Sequence, residues 1–171
     1  MAVVLLLGGA RSGKSATAVR LASDSGSPVT FIATAVAGDA EMAERIRRHR
    51  ESRPAAWKTI EAPLELLEAV RSPAREDFLI IDCLTLWVSN LLEKHAGDAE
   101  INAAADDIAR ELAGRRCVVV TNEVGLGIVP VNALARRFRD VLGIVNVRFA
   151  ASADRALLMV AGRAIELASV E

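Results

Sequence analysis

Gly8-Gly-Ala-Arg-Ser-Gly-Lys-Ser15 is the stretch that decides the fold of this chain. It fits G-x-x-x-x-G-K-[ST], a loop whose glycines let backbone N–H groups turn inward on phosphate oxygens. Lys14 adds a mobile positive charge for the β and γ phosphates. The Ser15 hydroxyl suits a Mg²⁺ ligand, and the helix that follows points its N-terminus at the anion. The flanks supply the context such a loop needs. Ala2–Leu7 is a continuous apolar run, as in a strand buried on both faces. Lys14–Ser23 reads as a helix with Ala18, Leu21 and Ala22 on one face.

A phosphate-binding loop of this kind needs an acid near the metal. Phe78-Leu-Ile-Ile-Asp82 closes an apolar run with a carboxylate. Asp82 would then sit at the carboxyl end of a strand, where open α/β sheets bind ligands.

Outward from these two segments, the chain alternates short apolar runs with amphipathic stretches, the pattern of an α/β fold with a mostly parallel sheet. The spacing predicts strands at Val29–Ala33, Phe78–Ile81 and Cys117–Val120. It predicts helices at Asp39–Arg53, Leu64–Val70, Thr85–Lys94, Ala99–Leu112 and Asn132–Val147. Ala156–Val160 and Ala164–Leu167, around Gly162, read as a hairpin at one edge of the sheet. With no internal repeat or linker, residues 1–171 are expected to form one P-loop nucleotide-binding domain.

Composition narrows the function. The 171 residues carry 21 Lys+Arg against 22 Asp+Glu, a formal net charge of -1, which argues against a dedicated nucleic-acid binder. Aromatics are 4% with no Tyr, so stacking platforms for single strands are not expected. The two cysteines, Cys83 and Cys117, lie at apolar runs and make no disulfide framework or zinc spacing, which points to a reducing, cytoplasmic setting. The apolar start has no basic residue before it and runs into the Gly-rich loop, unlike a signal peptide. No stretch reaches the roughly 20 apolar residues of a membrane span.

Of the two histidines, His49 is the more interesting. It follows Ile46 by three residues and Met42 by seven, so it is expected on the apolar side of its helix. Arg45 and Arg53 stand one turn to either side, disfavouring imidazolium and keeping the ring nucleophilic. By pattern alone, however, the segment reads as a solvated helix laced with Glu41–Arg45 and Glu44–Arg48 pairs. His95 reads as a solvent-facing residue at a helix C-terminus. Thr121-Asn-Glu123 ends a strand at the ligand-bearing edge, as Thr34 does, and offers Asn122 and Glu123 to substrate or the metal shell. Arg136, Arg137, Arg139 and Arg148 are expected on the solvated face of the long helix.

Taken together, five segments resemble the bifunctional adenosylcobinamide kinase/adenosylcobinamide-phosphate guanylyltransferase family of cobalamin biosynthesis. They are Gly8 to Ser15, Phe31-Ile-Ala-Thr34, Asp39-Ala-Glu-Met-Ala-Glu-Arg-Ile-Arg-Arg-His49, Arg53-Pro-Ala-Ala-Trp57 and Thr121-Asn-Glu-Val-Gly-Leu-Gly-Ile-Val-Pro130. The resemblance runs in order through nearly the whole chain. It implies a RecA-like, three-layer P-loop fold and two reactions with GTP and ATP as substrates and Mg²⁺ as cofactor. The first phosphorylates the aminopropanol hydroxyl of adenosylcobinamide. The second transfers GMP from GTP to that phosphate through a GMP–histidine intermediate, giving adenosylcobinamide-GDP and pyrophosphate.

The resemblance makes His49 the nucleophile, with Lys14 as its catalytic partner at the phosphates, and so reverses the bland reading of that helix. It makes Gly8, Gly9, Ala10, Arg11, Ser12, Gly13, Lys14 and Ser15 the nucleotide loop. Thr34, Ala35, Val36, Arg50, Glu51, Ser52, Arg53, Glu61 and Asp82 match its further nucleotide contacts, with Ser15 and Asp82 as Mg²⁺ ligands. Some members carry a second His where this chain has Arg48, and some carry Glu where it has Asp82. Asp82 and Glu123 are equal candidates for the base of the kinase step. The corrinoid has no evident flat platform in a chain so poor in aromatics. A corrinoid is also large against this chain, so a homo-oligomer is expected to complete its pocket, with a trimer as the candidate state. Two other readings stay open: a P-loop small-molecule kinase without nucleotidyl transfer, and a non-enzymatic nucleotide switch. The latter lacks the guanine-reading Asn-Lys-x-Asp of GTPase switches.

Overall fold

The computed structural model describes residues 2–51 and 53–169. In chain order the elements are β1 (Val3–Gly8), α1 (Lys14–Ser23), β2 (Val29–Ala33), α2 (Ala40–Glu51), β3 (Lys58–Glu61), α3 (Leu66–Arg71) and β4 (Phe78–Asp82). They continue with α4 (Leu84–Glu93), α5 (Asp98–Leu112), β5 (Cys117–Val120), α6 (Ala133–Ser152), β6 (Arg155–Val160) and β7 (Arg163–Leu167). The strands form a seven-stranded sheet in the order β3-β2-β4-β5-β1-β6-β7. Every pairing is parallel except β6 with β7. This is the expected P-loop architecture with its antiparallel edge hairpin, and β5 lies between the loop-bearing β1 and the Asp82-bearing β4.

The period of two along each strand sorts side chains onto the two faces of the sheet. Leu5, Leu7, Leu79, Ile81, Cys117 and Val119 join one core, closed by α3, α4, α5 and α6 through Leu66, Trp87, Ile108 and Val145. Leu6, Ile80, Val118 and Val120 face the other core, where Ala18 and Ala22 bring α1 close to the sheet. Burial on both faces explains why these strands read as unbroken apolar runs.

Several boundaries differ from the sequence expectation, each for a local reason. β3 is an edge strand with exposed ends and half-buried Thr59 and Ile60, so it carries no apolar run to announce it. Asp39 stands outside α2 as its cap, its Oδ1 accepting from the Met42 N–H at 2.7 Å. Leu64 stays outside α3, its carbonyl accepting from the Trp87 indole N–H at 3.0 Å. α6 continues beyond Val147 because its buried repeat continues through Val141, Val145 and Phe149.

Two expectations about side chains are corrected. α2 buries none of its residues, and His49 is exposed; Met42 and Ile46 form only a half-buried stripe. The arginines of α6 are not simply solvated. Arg148 reaches Asp106 on α5 at 2.6 Å, Arg137 reaches Asp98 at 2.7 Å, and Arg136 donates to the Pro130 carbonyl at 2.9 Å. These contacts tie α6 to α5 and to the loop before it.

Candidate active site

The loop Gly8–Ser15 leaves β1 at the carboxyl edge of the sheet and turns directly into α1. Gly8 has φ 150 and its carbonyl faces inward; a Cβ there would lie 2.3 Å from the Met159 carbonyl oxygen. Gly13 precedes α1 with φ 99, and a Cβ there would lie 3.2 Å from the Gly162 Cα. The Gly162 N–H also donates to the Ser12 carbonyl at 3.0 Å. The β6–β7 turn therefore braces the phosphate loop, a role invisible in the sequence because Gly162 reads only as a hairpin turn. The first turn of α1 carries no acidic residue that would compete with an anion.

Lys14 is buried, and its Nζ donates to the carbonyls of Gly8 at 2.8 Å and Gly9 at 2.7 Å, with the Ser12 hydroxyl at 3.4 Å. Burial holds this ammonium below its ordinary pKa, and Cys83 and Asp82 partly offset the shift. That coupling brings Lys14 and Asp82 within electrostatic reach across the tips of β1 and β4. Ser15, half-buried in the first turn of α1, completes the set. A hydroxyl and one carboxylate suit Mg²⁺, which takes few protein ligands and fills its octahedron with water and phosphate oxygens. The Cys83 thiol is pushed up to about 11 by burial and by Asp82, so it stays protonated at neutral pH.

Thr34 is brought to the same edge, but its hydroxyl is engaged. It donates to the Cys83 carbonyl at 2.7 Å and accepts from the Cys83 N–H at 2.8 Å, stapling the end of β2 to the end of β4. Ala35 is half-buried and Val36 exposed just beyond it. The Arg53 guanidinium lies 3.5 Å over the Phe31 ring and 3.4 Å from the Thr59 hydroxyl. Burial lowers its pKa, while Asp82 and Glu61 act in the opposite sense. Arg50 pairs with Glu61 at 3.6 Å. Arg53, Arg50, Glu61 and Asp82 thus share one charged flank of the loop. Glu51 instead pairs with Arg47 at 2.6 Å on the outer surface of α2. Glu44 pairs with Arg48 as expected, at 3.0 Å. Ser52 lies outside the described residues.

Between the ends of β1 and β4, the segment leaving β5 is pinned by a polar network that the sequence did not reveal. Asn146, buried in α6, accepts from the Thr121 hydroxyl at 2.7 Å and donates to the Asn122 carbonyl at 3.0 Å. The Asn122 N–H donates to the Thr85 hydroxyl at 2.7 Å. The next residue, Glu123, donates its N–H to the Gly8 carbonyl at 3.3 Å. His95 is exposed just beyond α4, as the sequence suggests, with φ 62, and lines a hollow together with Asn132 and Leu134.

Residues 4–167 match the family model described as cobinamide kinase / cobinamide phosphate guanyltransferase. The chain is 48% identical over 162 residues to the bifunctional adenosylcobalamin biosynthesis protein CobP of Pseudomonas aeruginosa, covering 92% of each. It is 42% identical over 180 residues to the bifunctional adenosylcobalamin biosynthesis protein CobU of Salmonella typhimurium, covering 96% of this chain and 99% of that protein. Among solved structures it resembles the assembled ATPase EscN of the enteropathogenic Escherichia coli type III secretion system. The TM-score is 0.59 at 9% identity, with 94% of this chain and 43% of that chain covered, a likeness of fold alone.

Proposed function

The chain belongs to the cobinamide kinase / cobinamide phosphate guanyltransferase family, and from that premise we propose that one phosphate loop serves both transfers. It is a bifunctional transferase of phosphorus-containing groups in cobalamin biosynthesis. The proposed first reaction takes the γ-phosphoryl of ATP or GTP to the hydroxyl of adenosylcobinamide. The second takes GMP from GTP to the new phosphate by way of His49. The observation that carries the proposal is the meeting of Lys14, Asp82 and the Gly8–Ser15 loop at one sheet edge.

In the kinase step, the acceptor oxygen attacks the γ-phosphorus as the bond to the β-phosphate oxygen breaks, and the diphosphate leaves. The loop N–H groups and Lys14 hold the phosphates in line, so positioning supplies most of the rate. Asp82 and Glu123 remain the two candidates to accept the hydroxyl proton. Ser15 and Asp82 would hold Mg²⁺, which supplies charge neutralisation at the phosphates when bound.

In the second reaction, a His49 ring nitrogen attacks the α-phosphorus of GTP, the bond to the β-phosphate side breaks, and pyrophosphate departs. A phosphate oxygen of adenosylcobinamide phosphate then attacks the same phosphorus and breaks the N–P bond, freeing His49. Splitting one displacement into two is the gain of a covalent intermediate. α2 buries none of its residues, so bringing His49 to the α-phosphate costs no core packing. Arg50 and Arg53, on the same flank, suit the nucleotide phosphates, together with Thr34, Ala35, Val36 and Glu61. We place both steps in a single nucleotide-binding domain, in a homo-oligomer of the cytoplasm; no described helix is long and apolar enough to cross a membrane.

GTP labelled in the α-phosphate tests the scheme. Wild type should acquire acid-labile, alkali-stable label, and His49→Ala should lose both the label and guanylyl transfer while folding normally. Label that survives in His49→Ala would remove His49 as the nucleophile.

A further inference from the structure

Three flanks surround the phosphate loop. The β6–β7 turn closes one, where Gly162 packs on Gly13. The second is charged and carries Arg50, Arg53, Glu61 and Asp82. The third is the segment that leaves β5. Its stem is fixed by Asn146 and Thr85 and touches Gly8 through the Glu123 N–H. Beyond that stem the chain changes character.

Residues 124–135 contain no charged side chain. Leu126 is 85% exposed, Ile128 98% and Val131 97%, and Val129 and Leu134 are also exposed. With Val124 that makes six exposed large aliphatic side chains in so short a span, more than scattered surface apolarity, and such a concentration beside the phosphate loop marks a binding surface. At Gly125 this span borders a hollow of about 790 Å³ lined by Ile144 and Val147 and by the charged Asp106, Arg139, Asp140 and Arg148. That volume lies within the roughly 300–1,000 Å³ of small-molecule sites.

We propose that residues 124–131, with Leu134 and the hollow beside Gly125, form the surface on which the corrin ring of the acceptor lies while its hydroxyl reaches the phosphate loop. The assignment rests on the function proposed above and names the residues for its acceptor. Three features select this occupant. The acceptor must approach the γ-phosphoryl from a flank that neither the β6–β7 turn nor the charged nucleotide groups occupy. A corrin offers a broad apolar ring face, matching residues 124–131, which carry no charge, and its polar amide chains match the charged and polar groups that line the hollow. The ring must also lie one side chain away from the reacting hydroxyl, and this surface begins one residue beyond Glu123, which is anchored to Gly8.

The test is the double variant Leu126→Ser/Ile128→Ser, whose side chains are solvent-exposed in the fold. KM for cobinamide should rise at least about tenfold, since each lost aliphatic contact is worth a sizeable factor in affinity. KM for the nucleotide, GMP labelling from GTP alone and elution on size exclusion should stay as in wild type. Equilibrium dialysis of cobinamide, followed by its visible absorbance, should show the same weakening. Unchanged KM and dialysis would overturn the assignment. So would weaker cobinamide use accompanied by a fall in apparent mass, because the surface would then be covered by a second copy of the chain. If wild type neither binds nor phosphorylates cobinamide, the proposed function falls and this assignment with it.

Discussion

At Gly8 the absence of a side chain lets the start of the phosphate loop run close against the Met159 carbonyl. A methyl group there would meet the Met159 carbonyl at 2.3 Å, and φ 150 is a region L side chains rarely adopt. Gly8→Ala should therefore cost about 1–3 kcal/mol of stability and lower both transfers together, since backbone must shift to admit the methyl. Urea unfolding of the variant beside wild type checks the first part, and a stability within experimental error of wild type would contradict it. Lys14 illustrates the same scale: carbonyls of Gly8 and Gly9 hold its ammonium at 2.8 and 2.7 Å, inside the loop it serves. The loop residues were legible because their chemistry demands fixed types at fixed spacing. Glu51 was not, because its partner Arg47 lies on its own helix and turns it outward. Nor was the engagement of Thr34, since Cys83 is brought to it only by the neighbouring strand.

At the scale of elements, the central strands were readable because burial on two faces leaves an unbroken apolar signature. β3 was not, because an edge strand owes its place to hydrogen bonds with β2 rather than to its side chains. The sequence of α2 suggests an apolar stripe of Met42, Ile46 and His49, yet in the fold Met42 and Ile46 are only half-buried and His49 is exposed. The pairing of Arg137 and Arg148 on α6 is not legible because their acids, Asp98 and Asp106, lie on another helix about forty residues away. A separation of 25 residues likewise hides the contact through which α6 sets the end of β5. Thr121→Val and Asn146→Leu should each destabilise by about 1–3 kcal/mol, because each strands a buried polar partner. The two changes together should cost clearly less than their sum, since they remove one hydrogen bond between them. A double-mutant cycle in urea measures this, and strict additivity would contradict the network.

Across the whole molecule, the proposed function has two phosphorus transfers converge on one loop, with the acceptor on the segment that leaves β5 between β1 and β4. Arg45, Arg47, Arg48, Arg50 and Arg53 gather on and just after α2, residues 124–135 carry no charge, and a second group of arginines follows on α6. The central claim is that His49, exposed on a helix with no buried residue, carries GMP between GTP and the acceptor. Mass spectrometry of peptides from the protein after incubation with GTP and Mg²⁺ tests it most directly. The account predicts a GMP adduct on His49 that disappears when cobinamide phosphate is added. An adduct on another residue, or guanylyl transfer proceeding with no adduct at all, would contradict it.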